Sequence, residues 1–177
     1  MKIAITNEIV LPNAAEIENE LKAFNWSPCG RYLLAGSAAK MIKLWDVEEE
    51  EQIHCIEGLD YWPTSSTWSP DGSKFAVGFY QDNDDYNVKV FNTDSGECIQ
   101  TLHKHSGNMF DVCWTNDNNL GGAEFLWSGS GKDALAMMWE PLSGQAAFEQ
   151  QHPNEIRRLI PSADHSRLLV GCWPQSI

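Results

Sequence analysis

The sequence predicts an all-β protein in which one four-stranded unit recurs about three and a half times. Three observations carry that expectation. Trp26, Trp68 and Trp114 recur at intervals of 42 and 46 residues, and Pro161 continues the series 47 residues later. Around each of these positions lie short apolar or alternating runs, the pattern of strands rather than of helices. A Ser-Pro turn follows the first two tryptophans, with glycine at a fixed offset, Gly30 and Gly72.

In the first unit a strand ends at Trp26, and Ser27-Pro28-Cys29-Gly30 turns the chain. Arg31 to Ser37 is apolar and short enough to be buried on both faces. Met41-Ile42-Lys43-Leu44-Trp45 and Gln52-Ile53-His54-Cys55-Ile56 then alternate. The second unit repeats this through Ser66 to Gly78, Asn87 to Phe91 and Glu97 to Leu102. The third runs from Val112 to Asp117, rejoins at Leu126-Trp127-Ser128-Gly129-Ser130, and continues through Leu135 to Trp139. The fourth has only Leu159 to Asp164 and Leu168 to Cys172, the first two strands of a unit. Ala14 to Lys22 has helix-like composition, yet the register of the repeat lays a strand over its second half.

Length and composition narrow the function classes. With 177 residues and 42% hydrophobic content, the chain is long enough for a globular core. A net charge of −13 argues against a nucleic-acid or anionic-membrane surface, which needs clustered Lys and Arg. It is compatible with a basic partner. Asn7 and Glu8 interrupt the N-terminus before any apolar leader region forms, and no run approaches a membrane span. Five cysteines without a Cys-x-x-Cys pair suggest reduced thiols and a cytoplasmic, or nuclear, protein. Asn25-Trp26-Ser27 is formally a glycosylation acceptor, but it sits inside a strand-like run.

Lys43-Leu44-Trp45-Asp46 carries the Trp-Asp pair, and Asn87 to Asn92 and Met137-Met138-Trp139-Glu140 are relaxed forms of it. Lys104-His105-Ser106-Gly107 and Gln151-His152 stand nine residues before Trp114 and Pro161, where a Gly-His pair is usual. Over about residues 17–173 the chain thus resembles the WD-repeat β-propeller family. The resemblance implies blades at 17–58, 59–104 and 105–151, a partial blade at 152–177, and a segment 1–16 that could supply a ring-closing strand. Since the family usually needs six to eight blades, it also implies an incomplete ring. A truncated chain, or a second chain completing the propeller, would account for that.

The sharpest constellation is His105, Ser130, Asp133 and Trp139. In an enzyme Ser, His and Asp suggest a nucleophilic triad. In WD repeats the matching positions form a structural hydrogen-bonded tetrad, which buried polar groups require. No Gly-x-Ser-x-Gly elbow supports the enzymatic reading, because Ser128-Gly129-Ser130-Gly131 has the wrong spacing. The first unit has Ser37 and Trp45 but Ala38-Ala39 in place of the Asp, and the second lacks the His, so only the third blade is expected to hold a complete network.

The other candidate motifs fall short. Ser128 to Asp133 resembles a phosphate loop, yet Leu126 stands where its first Gly belongs and Asp133 where a Ser or Thr would bind magnesium. His103 and His105 lack a third ligand, and Asp82-Asn83-Asp84-Asp85 is followed by Tyr86 and Asn87 rather than by the rest of a calcium loop. No metal or other cofactor is expected.

Two lengthened loops are more informative. Tyr80 to Tyr86 extends the link between the second and third strands of blade 2, and Asp60-Tyr61-Trp62-Pro63 leads into that blade. In WD propellers such loops emerge on one face. Tyr61, Trp62, Tyr80, Asp82, Asp84, Asp85 and Tyr86 are therefore the candidate partner-binding residues, an acidic-aromatic patch suited to a basic peptide. The competing reading is that Trp62 packs under its own loop and the acids only solubilise. The opposite loop, Asn116 to Glu124, is long and polar without an assignable role.

These expectations converge on a non-enzymatic scaffold or adaptor that binds proteins or peptides, without direct nucleic-acid or membrane contact. The alternative is the propeller of a hydrolase, peptidase or signalling protein whose catalytic part lies outside this chain.

Overall fold

A computed structural model describes residues 21–80, 86–117 and 122–173. Fourteen strands are defined there and no helix. Blade 1 comprises β1 (Leu21–Trp26), β2 (Tyr32–Ser37), β3 (Met41–Asp46) and β4 (Glu51–Ile56). Blade 2 comprises β5 (Trp62–Trp68), β6 (Lys74–Tyr80), β7 (Tyr86–Asn92) and β8 (Cys98–His105). Blade 3 comprises β9 (Met109–Asp117), β10 (Ala123–Ser130), β11 (Leu135–Trp139) and β12 (Ala146–Gln151). Then come β13 (Ile156–Pro161) and β14 (Leu168–Cys172).

Each of the first three groups is an antiparallel meander in sequence order, while β13 and β14 form a two-stranded sheet. These are propeller blades, and among the described residues the sheets do not close into a ring. Leu21 and Lys22 lie in β1, as the repeat register required and against their helix-favouring composition; burial of Ala23 and the packing of its strand partner Gly36 under Pro63 of the next blade override local propensity here. The expected closing strand in 1–16 lies outside the described residues.

The turns after Trp26 and Trp68 follow from their residue types. Gly30 and Gly72 hold φ of 77° and 72°, and each N–H donates to the serine carbonyl three residues back. The serine side chain closes the same turn, since Tyr32 N–H donates to Ser27 Oγ and Lys74 N–H to Ser69 Oγ, both at 2.9 Å. Blade 4 repeats this through Ser162, but His165 occupies the left-handed position with φ of 57°.

Strand alternation sends successive residues to opposite faces of each blade, and the faces pack in series. Between blades 1 and 2 lie Leu34, Ile42 and Leu44 against Trp68, Phe75 and Phe91. Ala76, Val88 and Val90 meet Trp114, Leu126 and Trp139 between blades 2 and 3. Cys113 and Ala136 meet Ile156 and Leu159 between blades 3 and 4. Burial pushes the Cys113 thiol up to about 12, which keeps it protonated and inert.

The inner strands β1, β5, β9 and β13 are also stitched together by hydrogen bonds. Asn25 Nδ2 donates to Ser66 O at 3.1 Å, Thr64 Oγ1 to Met109 O at 2.7 Å, and Leu159 N–H to Asp111 Oδ2 at 2.8 Å. Desolvation of the buried Asp111 lifts its carboxyl above the ordinary range, opposed by the Leu159 N–H and by Arg158.

Candidate functional site

Two arrangements bear on function. The first is a buried polar chain in blade 3. Asp133 Oδ2 is 3.0 Å from His105 Nδ1, and His105 Nε2 is 2.8 Å from Ser128 Oγ, which accepts the Trp139 Nε1 hydrogen at 2.8 Å. Indole N–H is a donor only, so the serine hydroxyl hydrogen is free to point at His105 Nε2. With a proton on Nδ1, His105 donates to Asp133 while its Nε2 accepts from Ser128. Burial pulls the Asp133 carboxyl upward, but the hydrogen bond from His105, the nearby Ser130 hydroxyl and the Ser106 N–H hold it down to about 2.

The serine of this chain is Ser128, which corrects the expectation of Ser130. Ser128 pairs with Met137 on the face that also carries Trp139. Ser130 lies at the end of β10, past a register shift, with its hydroxyl against Gly107. Counting from the Asp in sequence could not separate two serines that point the same way; the pairing register does. By the same register the Ser128 position is Ala35 in blade 1 and Val77 in blade 2. Those blades therefore lack the hydroxyl as well as the Asp or His.

This geometry is unlike a nucleophile's. Ser128 is fully buried, and its oxygen is already committed to the indole. The chain joins the β8–β9 link to the β10–β11 turn, because Asp133 also accepts from Ser106 N–H at 2.8 Å and from Leu135 N–H at 3.1 Å. Its effect is to hold loop geometry. Among the described residues no group of His, Cys, Asp and Glu has the arrangement of a metal site.

The second arrangement is aromatic. Trp62 and Tyr80 are cross-strand partners at the ends of β5 and β6, and their rings stack with centroids 5.5 Å apart and planes 11° off parallel. Trp62 keeps 41% of its surface exposed, so it does not pack away under its own loop. Tyr61 instead leans into the core between blades 1 and 2. The backbone of Tyr86 opens β7 opposite His105. Asp82, Asp84 and Asp85 lie outside the described residues. The structure thus brings Trp62 and Tyr80 together and separates Tyr61 from them.

Comparison with known proteins adds a family and several relatives. The profile of the WD domain, G-beta repeat (WD40), matches residues 17–46 and 96–140. The human F-box-like/WD repeat-containing protein TBL1Y is 28% identical over 160 residues, covering 80% of this chain and 28% of its own length. Nuclear distribution protein PAC1 of Arthroderma otae is 27% identical over 155 residues, covering 80% of this chain and 32% of its own. The mouse F-box-like/WD repeat-containing protein TBL1X is 28% identical over 150 residues, covering 77% and 26%. The chain therefore spans a third or less of the length of these curated relatives.

Proposed function

We propose that this chain, a WD-repeat protein, is a non-enzymatic platform that binds a basic peptide or loop beside the Trp62–Tyr80 pair of blade 2. The observation that carries the reading is the stacked, half-exposed pair, whose Tyr80 is followed within five residues of sequence by Asp82, Asp84 and Asp85. A stacked pair offers broad apolar area at little cost in conformational entropy, because each ring immobilises the other. The carboxylates steer a cationic partner and add little affinity of their own once salt screens them. Blade 3 contributes indirectly, its buried chain from Asp133 to Trp139 holding the neighbouring link rigid. The names of two relatives, which place WD repeats beside an F-box-like part, are in keeping with a binding role. A cytoplasmic or nuclear location belongs to the same reading.

The test is calorimetric titration with short Lys/Arg-rich peptides at two salt concentrations. Trp62→Ala and Asp84→Ala should each weaken binding, and the second should lose its effect at high salt. A titration unchanged by both variants removes the patch from consideration.

A further inference from the structure

The inner strands of blades 2, 3 and 4 each enter their sheet through a β-bulge. The register skips one residue there: Thr64 in β5, Phe110 in β9 and Arg157 in β13, each four before Trp68, Trp114 or Pro161. A bulge re-aims the extra side chain. The residues facing each other at the strand ends are equivalent too. Tyr80 lies opposite Trp62, while Gly131 N–H donates to Asn108 O and Trp173 N–H to Glu155 O.

In blades 3 and 4 the bulged side chain covers the end of the second strand. Phe110 lies so close to Gly131 that a Cβ there would come within 2.4 Å of its ring. Arg157 sets its guanidinium 4.9 Å from the ring centroid of Trp173 and 3.8 Å from that of Phe110, and its Nη2 donates to Glu155 at 2.7 Å. Blade 4 thus shows what an aromatic ring at this register holds, which is a guanidinium. Blade 2 differs. Its bulged residue is Thr64, whose hydroxyl is directed at the Gly78 and Met109 carbonyls, 3.0 and 2.7 Å away. The rings of Trp62 and Tyr80 are there, with a short threonine in the arginine's place.

We infer that the Trp62–Tyr80 pair takes the guanidinium of an arginine on the partner, in preference to a lysine amine. This rests on the basic-peptide reading above and narrows it to one side chain. A guanidinium is planar and weakly hydrated, so it gains more from lying against a ring than a compact, strongly hydrated ammonium does. Lys22 and Thr64 line the cavity along the inner strands, and Trp62 and Tyr80 stand outside it. The arginine therefore comes from solvent onto the exposed ring of Trp62, away from the like charge of Lys22.

Calorimetric titration of the full chain at about 0.3 M salt tests this, because steering by charge is then largely screened. The probes are two peptides of equal charge, one alternating arginine with glycine, the other with lysine in every arginine's place. The arginine peptide should bind the parent about two- to fivefold tighter. Trp62→Leu and Tyr80→Leu keep apolar bulk and remove a ring, so each should bring the ratio of the two constants to about one. A readout on the folded parent guards against a variant that misfolds: the Trp62 indole N–H resonance should shift more with the arginine peptide than with the lysine peptide. Equal affinity of the parent for both peptides overturns the inference and leaves the basic-peptide reading standing. A preference for arginine that survives both substitutions overturns it too, since the arginine is then read elsewhere. If neither peptide binds, the basic-peptide reading itself fails, and this inference with it.

Discussion

His105 Nε2 and Ser128 Oγ lie 2.8 Å apart in the buried centre of blade 3, although 23 residues separate them along the chain. Neither atom has water as an alternative partner in that setting, so each depends on the other. Trp139 and Asp133 extend the dependence to four side chains.

Ser128→Ala removes the shared oxygen and strands two groups, the Trp139 N–H and His105 Nε2. A loss of about 2–4 kcal/mol is expected from two orphaned buried groups. Ser130→Ala should cost less, about 1 kcal/mol, since Ser130 touches the network only at Asp133, which keeps its hydrogen bonds from His105, Ser106 and Leu135. Urea unfolding of the two variants checks the difference, and equal losses would contradict the assignment.

Asp133 gives the network a pH signature. Its folded pKa is depressed to about 2 from 3.8, so its contribution is fully present above about pH 4 and is lost as pH falls towards 2. A contribution on the order of 1–2 kcal/mol is expected for so small a depression. Asp71 and Asp164 are also held down to about 2, first of all by hydrogen bonds from Ser69 and Ser162, and share the window. The informative measurement is therefore the difference between parent and Asp133→Asn, whose urea midpoint should vary less between pH 4.5 and 2.5.

Gly36→Ala and Gly129→Ala push a methyl into the adjoining blade at sub-van der Waals range. Pro63 and Ile156 are on packed inner strands and cannot retreat freely, so each variant should lose about 1–3 kcal/mol by overpacking. Thermal denaturation reads this directly.

His165 sits at the left-handed turn position that glycine occupies at Gly30 and Gly72. His165→Gly relieves Cβ crowding of about 1–2 kcal/mol and gives back part of it through a more flexible unfolded chain. A net gain of up to about 1 kcal/mol is expected, with Gly72→Ala moving the other way. A destabilised His165→Gly variant in urea titration would show that the histidine side chain holds the turn.

Much of this was legible in the residues. The recurrence of Trp26, Trp68 and Trp114, the alternation of the third strands and the Ser-Pro turns determined the all-β class and the four-stranded blade. They did so because hydrophobic period and turn chemistry are local, and three copies of one pattern reinforce each other. The partnership of Trp62 with Tyr80, the choice of Ser128 over Ser130, and the seating of Arg157 between Phe110 and Trp173 were decided only by the tertiary structure. Each depends on strand register and on which blade face meets which, and those relations join residues far apart in the chain that no local pattern encodes.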